Sequence, residues 1–307
     1  MLGKRYEAQA AAVDALADVS FTVEAGEVFG FLGRNGAGKS TTVRILTTLL
    51  APTSGTARVG GHDVMEEPSA VRQMIGAALQ EAALDELMTG REHLVLAGRL
   101  VGLTKPAAGE RADELLTAFG LSGAADRVAA TYSGGMRRRL DVSMAMVRHP
   151  PVLFLDEPTT GLDPQGRRAL WQHIADLRSE GTAVFLTTQY LAEADELADR
   201  VAIIHDGRIA AIGTPQELKD RVDVTTVRLE VGAASRATAA AVTGDRSGVP
   251  AMLARLAAAG VEIERLAIMP PTLEDVFVKL TGSEIEVSAG LGEGGSLSAV
   301  RRGLGRS

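Results

Sequence analysis

Residues 33–40 read Gly33-Arg34-Asn35-Gly36-Ala37-Gly38-Lys39-Ser40, and this octet constrains the fold more than any other stretch. Its spacing, G-x-x-x-x-G-K-S, is that of a phosphate-cradling loop, the P-loop. Glycines let successive backbone N–H groups turn inward and form a concave anion site. Lys39 adds a point charge for the outer phosphates, and Ser40 a hydroxyl for the Mg²⁺ that accompanies a nucleotide. The short run Glu27–Leu32 ahead of the loop reads as a buried strand, and Thr41–Leu50 behind it has helical composition. Phosphate would then meet a helix N-terminus, where the dipole is positive. Strands alternating with helices around such a loop imply an α/β fold with a mainly parallel core sheet covered on both faces.

The rest of the chain fits around that centre. Met1–Gln9 is polar, with Tyr6 as its aromatic, and Ala15–Val23 alternates as a strand into the turn at Ala25-Gly26. Turns at Pro52–Gly55 and Gly60-Gly61 bracket a short strand, Thr56–Val59, so an antiparallel β subdomain is expected here. Val71–Leu79 is apolar and ends at Gln80. From about residue 81 to 150 the pattern is that of a helical insertion. Leu94, Leu96, Leu100 and Val101 fall in one helix, and Leu115, Leu116 and Phe119 in a second that Gly120 closes. A third opens at Tyr132-Ser133-Gly134-Gly135-Met136, with Met136, Leu140, Met144 and Val147 on its expected buried face.

Beyond the insertion, Pro151–Leu155 is an apolar strand ending in Asp156-Glu157-Pro158, and Gly161-Leu162-Asp163-Pro164 is a tight turn. Arg167–Glu180 is a helix stopped by Gly181, Thr182–Thr187 a buried strand, and Leu191–Arg200 a charged helix. Val201–His205 and Arg208–Ile212 form a hairpin over Asp206-Gly207. Residues 1–220 make one unit. Residues 221–282 read as a small C-terminal β/α unit: a strand at Thr226–Val231, a loose loop at Ala233–Gly248, a helix at Pro250–Ala258 and a strand at Val261–Ile268. Thr272–Asp275 resembles a capping box before a helix at Val276–Leu280. Residues 283–307 are rich in Gly and Ser with little to bury, and are expected to be disordered.

Composition excludes several classes of function. The net charge of −7 disfavours nucleic acid as a partner, because non-specific binding needs a basic face. The absence of cysteine excludes disulfides and thiolate metal sites and fits a reducing, cytoplasmic setting. His62, His93, His149, His173 and His205 do not fall at metal-ligand spacing, so no site is assigned to them. No apolar signal core opens the chain, and no apolar run reaches the ~18 residues a membrane helix needs. Any membrane role is therefore expected to pass through another polypeptide.

A P-loop alone means nucleotide; phosphoryl chemistry also needs a carboxylate for the metal and a group to orient water. Asp156 closes an apolar strand where it would face Mg²⁺, and Glu157 on the following bend can polarise the attacking water or accept its proton. With these motifs in this order, the chain resembles the ATP-binding cassette (ABC) ATPases, the motor subunits of ABC transporters. Tyr132–Met136 matches that family's L-S-G-G-Q signature, with Tyr for Leu and Met for Gln.

The resemblance implies that Ser133 and the N–H groups of Gly134 and Gly135 hold the γ-phosphate of an ATP bound in a second copy's P-loop, so that each nucleotide is sandwiched in a dimer. It implies cradle contacts from residues 33–41, Gly33 through Ser40 and Thr41, adenine stacking by Tyr6, and metal ligation by Ser40, Gln80 and Asp156. Gln80 would also hinge to the helical insertion, and Asp163 would cross the dimer. Glu157 would be the main catalytic carboxylate, assisted by Lys39 and Gln189.

Gln189 stands where the family usually has His; an amide can donate to a γ-phosphate but cannot titrate. The family also begins with a strand before the stacking aromatic, and with only Met1–Arg5 ahead of Tyr6 that strand reads as missing or truncated, leaving an edge unprotected. Arg137-Arg138-Arg139 lies where helix electrostatics disfavour positive charge; a solvated face is the commoner explanation, anchoring near phosphate or the Asp163 turn the sharper one.

Residues 132–141, 187–191 and 271–277 are similar to the daunorubicin/doxorubicin-resistance exporter ATPases, which share the Gln. That similarity implies ATP and Mg²⁺ as cofactors, a homodimer of this chain beneath two copies of a separate ABC-2-type permease on the cytoplasmic face of the cell membrane, and export of a hydrophobic drug or lipid. A soluble ABC ATPase of translation or DNA repair is the alternative. Those relatives usually carry two cassettes or a long coiled coil, whereas this chain has one P-loop, one signature and no heptad array. A regulatory cassette with weak hydrolysis is supported by Gln189 alone.

Overall fold

The computed structural model describes residues 1–7, 12–80, 83–222, 225–231, 240–244 and 263–282, with 250, 251, 254 and 258. The chain divides into two compact units, Met1–Pro215 and Gln216–Ser307.

The first unit opens with β1 (Leu2–Glu7) and β2 (Ala12–Val19), an antiparallel pair in which Tyr6 lies opposite Val13 and Leu2 opposite Val19. This corrects the expectation of a missing first strand. Leu2 is buried, and Gly3 exchanges backbone bonds with the Thr53–Ser54 turn at 2.9 Å, so the first half of the edge is covered while Arg5, Tyr6 and Glu7 stay exposed. The polar run Lys4-Arg5-Tyr6-Glu7 hides the strand's period in the sequence. β3 (Val28–Leu32) leads into the P-loop and α1 (Lys39–Leu46), which stops early because Thr48 turns to φ 63°. The small pair β4 (Arg58–Val59) and β5 (His62–Asp63) and the helix α2 (Pro68–Met74) precede β6 (Ile75–Ala78).

The helical insertion contributes α3 (Gly90–Leu100), α4 (Lys105–Ala118) and α5 (Gly134–Ala145). A capping box of Thr89 and Glu92 starts α3. Then come β7 (Val152–Asp156), α6 (Pro164–Ser179), β8 (Ala183–Thr188), α7 (Leu191–Leu197), β9 (Arg200–His205) and β10 (Arg208–Gly213). The six-stranded sheet has the order β10-β9-β3-β8-β7-β6. Only β10 runs antiparallel to its neighbour.

Alternation along the central strands splits the core between the two sheet faces. Phe29, Phe31, Phe154 and Phe185 point to one side and pack with Phe21, ring centroids 5.3–6.0 Å apart, beneath Leu16, Val43 and Ile45. Val28, Leu153, Leu155, Val184 and Leu186 point to the other, against the helical insertion and α6. Both faces being covered explains why the strands read as continuous apolar runs. On α5, Leu140 is buried as expected, but Met136 and Met144 are only half-buried; Arg138, Val142 and Ser143 are the other buried positions.

In the second unit, α8 (Pro215–Asp220) precedes β11 (Thr225–Val231), β12 (Ala240–Gly244) and β13 (Ile263–Met269), an antiparallel sheet ordered β12-β11-β13. β12 corrects the loop expected over 233–248. Its Ala-Ala-Val-Thr-Gly has too little side-chain contrast to show a two-residue period, and pairing with β11 makes the strand. Thr272 and Asp275 do form a capping box, opening α9 (Leu273–Thr281), on which Leu273, Val276 and Phe277 are buried. The helix expected at 250–258 lies mostly outside the described residues, and the tail at 283–307 wholly outside them.

Candidate functional site

Strand register assembles the site. In the parallel pairs, Leu32 lies beside Thr188, Asp156 beside Thr187, and Ala78 beside Leu155. The residues that follow these strand ends, Gly33, Gln189, Glu157 and Gln80, therefore emerge at one end of the sheet. This is the carboxyl end, where open α/β sheets bind ligands. Gly33 N–H donates to Thr188 O at 3.4 Å, tying the P-loop to the segment that carries Gln189.

The P-loop is built to be glycine where it must be. Gly38, at φ 109°, caps α1, and a Cβ there would sit 2.6 Å from Ala15 O. At Gly33 a Cβ would sit 2.6 Å from Ile204 O. Gly36, at φ 81°, has open space around it instead, and Asn35 beside it is exposed. The hairpin turn of β9 and β10 braces the loop from below: Gly207 N–H donates to Ala37 O at 3.1 Å. Arg34, Ser40 and Thr41 are half-buried, the last two on the first turn of α1.

Lys39 is 4% exposed and donates to Gly33 O at 2.8 Å and Arg34 O at 3.3 Å. It also pairs with Glu157 Oε1 at 3.2 Å. Glu157 adopts φ 50°, a left-handed backbone that a non-glycine residue takes only when its surroundings enforce it. Thr187 does the enforcing. Its carbonyl and hydroxyl oxygens both accept from Glu157 N–H, at 3.1 Å each, and its hydroxyl donates to Asp156 Oδ1. Asp156 itself is buried, 3% exposed. The Asp156 carboxylate, the Ser40 hydroxyl and the Gln80 amide oxygen are hard oxygen donors, the chemistry that suits Mg²⁺.

The remaining predicted residues sit on loops and helix starts. Tyr6 is half-exposed on β1, with Lys4 Nζ 5.2 Å from its ring centre. Gln80 is exposed just beyond β6. Ser133 caps α5, accepting from Met136 N–H at 3.3 Å, and Gly134 has open space beside it. Tyr132, where Leu is usual, is a buried anchor whose hydroxyl donates to Ala124 O at 2.7 Å. Asp163 caps α6, accepting from Gly166 N–H at 2.7 Å. Gln189 is half-buried between Thr188 and Tyr190.

Arg138 corrects the solvated-face reading of the arginine triplet. It is 7% exposed and donates to Leu79 O, Asp156 O and Pro158 O while pairing with Asp141 at 2.8 Å. One guanidinium thus joins the signature helix to the strand ends that carry Gln80 and Glu157. Burial lowers the Arg138 pKa and pushes Asp141 up to about 6 against the pull of Arg138. Arg137 and Arg139 are tied down too, to Glu86 at 3.0 Å and to Phe119 O at 2.9 Å. A run of three arginines on a helix otherwise apolar at Leu140 and Val142 was the available signal.

The family model described as "ABC transporter" matches residues 16–160. The chain is 47% identical to the daunorubicin/doxorubicin resistance ATP-binding protein DrrA of Streptomyces peucetius over 88% of each chain. It is 38% identical to a Nod factor export ATP-binding protein of Burkholderia lata, over 87% of this chain and 92% of the relative. Among solved structures, it is similar to a dimeric ATP-binding cassette in a post-hydrolysis state bound to ADP and Pi. That match has TM-score 0.65 and 25% identity, covering 69% of this chain and 96% of the other.

Proposed function

This chain belongs to the ABC transporter ATPases of the daunorubicin/doxorubicin-resistance type, and from that premise we propose that it is the ATP-hydrolysing motor of an exporter for a hydrophobic drug or lipid. Two copies bind ATP between them at the cytoplasmic face of the membrane, and a separate integral-membrane permease of the ABC-2 type carries the substrate. Among the described residues no helix is long and apolar enough to cross a membrane. The observation that carries the reading is the strand register, which delivers Gly33, Glu157, Gln189 and Gln80 to one sheet end.

The chemistry follows from that placement. Backbone N–H groups of residues 33–41 and the Lys39 ammonium hold the β- and γ-phosphates. Tyr6 stacks on the adenine. Ser40, Gln80 and Asp156 would hold Mg²⁺, which when bound neutralises charge on the phosphate oxygens. Glu157 orients a water in line with the γ-phosphorus and takes its proton as the P–O bond to ADP breaks. Gln189 donates to a γ-phosphate oxygen. Ser133, Gly134 and Gly135 of a second copy complete the cage, with Asp163 crossing between copies.

The test is the Glu157→Gln chain. Its ATPase rate is expected to fall by about 10²-fold or more, the usual worth of a positioned general base, while ATP binding persists and Mg-ATP drives dimer formation on gel filtration. Retained hydrolysis would move the catalytic role elsewhere. A monomer at saturating Mg-ATP would overturn the sandwich.

A further inference from the structure

Behind Gln189 lies a buried polar cluster that no step above uses. Glu193, on α7, is 1% exposed. Its Oε1 accepts from the indole N–H of Trp171, on α6, at 3.4 Å. The hydroxyls of Thr188 and Thr159 and the charge of Arg167 also act on it. Those neighbours come from three places: Thr188 from the end of β8, Thr159 from the loop between Glu157 and Asp163, and Arg167 and Trp171 from the helix that Asp163 caps. The Arg167 guanidinium stacks over the ring of Tyr190, 5.3 Å from its centre. Thr188 Oγ in turn accepts from Tyr190 N–H at 2.9 Å.

Three atoms here, Thr159 Oγ, Arg167 Nε and Glu193 Oε2, are buried without a hydrogen bond of good geometry. Buried polar atoms are nearly always paired, and orphans invite a second arrangement that pairs them. In this cluster a donor, Arg167 Nε, and an acceptor, Glu193 Oε2, are orphaned together. The Arg167 charge already acts on Glu193, so a rearrangement of α6 or of the Thr159–Asp163 loop that brought the two groups together would pair both atoms.

We propose that Glu193 is a positioning residue that couples the Gln189 segment to the Asp163 loop, so that γ-phosphate contact and closure onto the second copy are felt by each other. The inference rests on the reading above that Gln189 faces the γ-phosphate and Asp163 crosses the dimer. Gln189 lies four positions before Glu193. Any displacement of that segment pulls on Thr188 and Tyr190, hence on the carboxylate and the guanidinium beside it. α6 carries the displacement to its own N-cap, Asp163. A second packing that paired Arg167 Nε with Glu193 Oε2 would give the cluster two discrete arrangements, and a choice between discrete packings is what lets a local shift bias a distant equilibrium.

Trp171 is the chain's single tryptophan, and it donates to the carboxylate in question, so its emission reads the cluster directly. The experiment uses the full chain, as wild type and in the Glu157→Gln background, with Glu193→Gln and Arg167→Gln. Mg-ATP is expected to change Trp171 emission over the same concentrations at which dimer forms, whereas Mg-ADP leaves it unchanged. Each variant should bind Mg-ADP like the wild type but lower kcat and weaken ATP-driven dimerisation by about tenfold, within the usual span of coupling between sites. The emission change should be lost with them. Wild-type kcat, dimerisation and emission response in Glu193→Gln and Arg167→Gln would overturn the proposal. So would an equal loss of ADP binding and thermal stability in both, which marks a merely structural carboxylate. If the unmutated protein itself forms no ATP-dependent dimer, the broader functional reading fails first.

Discussion

Lys39 has three ammonium donors, and Gly33 O, Arg34 O and Glu157 Oε1 occupy them in the folded chain. The ion pair matters most, because it ties the cradle's cation to the carboxylate expected to handle water. On the proposed function, a triphosphate arriving at Lys39 would compete with Glu157 and set that carboxylate free to turn toward water, so that binding and activation would share one contact. The sharpest single-residue question is Gln189. On the proposed reading, a neutral amide donates one hydrogen bond to an ionised γ-phosphate oxygen, whereas an imidazolium would set a full positive charge beside it and add a direct coulombic attraction. Gln189→His is therefore expected to raise the ATPase rate by about tenfold, an order equivalent to one such strengthened bond, with KM for ATP little changed; an unaltered rate in a steady-state assay would remove Gln189 from the list of rate-setting groups. The P-loop, Asp156, Glu157 and the Ser133 cap could be read from the chain because each is a local pattern. Thr187 could not. Its work, holding Asp156 by its hydroxyl and the strained Glu157 backbone by both oxygens, depends on a register between strands thirty positions apart, which no local pattern reports.

At the scale of elements, Arg138 shows how α5 is fastened to the strand ends that carry Gln80, Asp156 and Glu157. It sits with Asp141 one turn further along α5 and caps three carbonyls from two strand ends. A guanidinium presents five donors in a planar fork, and an ammonium cannot span that set. Arg138→Lys is expected to destabilise the fold by about 2–3 kcal/mol, the scale of losing buried hydrogen bonds to a charged group and leaving their carbonyl acceptors unpaired, seen as a lower urea midpoint. ATPase should fall further than nucleotide binding, because Asp156 O and Pro158 O flank Glu157. An unchanged midpoint would show the contacts to be dispensable. The elements themselves were legible where composition and period agree, as in β7, β8 and α6. They were misread where partners decide. β1 is polar by sequence and exists through Leu2 and its pairing with β2. β12 is nearly featureless by sequence and exists through β11. Arg138 reads as solvated because charge outside a helix is the common case, and only the strand-end carbonyls make its burial favourable.

For the whole molecule, the decisive matter is whether one chain contains a complete site. The P-loop and Glu157 share a sheet end, but the Ser133 cap opens α5 within the helical insertion, exposed and with free space beside Gly134. The proposed twofold pair resolves this by lending each site the other copy's signature, an isologous arrangement. It makes a quantitative demand. Lys39→Ala disables a copy's own cradle, and Ser133→Arg disables only what it lends, so each homodimer should be inactive. In a mixed dimer, one site combines both lesions and the other combines the intact Lys39 of one copy with the intact Ser133 of its mate. With free exchange half of all dimers are mixed, so an equimolar mixture should regain up to about one quarter of wild-type ATPase if twofold pairing is random. A site contained within one chain predicts no recovery at any ratio. Titrating one variant against the other and finding activity greatest at equal proportions would tie the chemistry to the pair, since no single-chain mechanism has a maximum there.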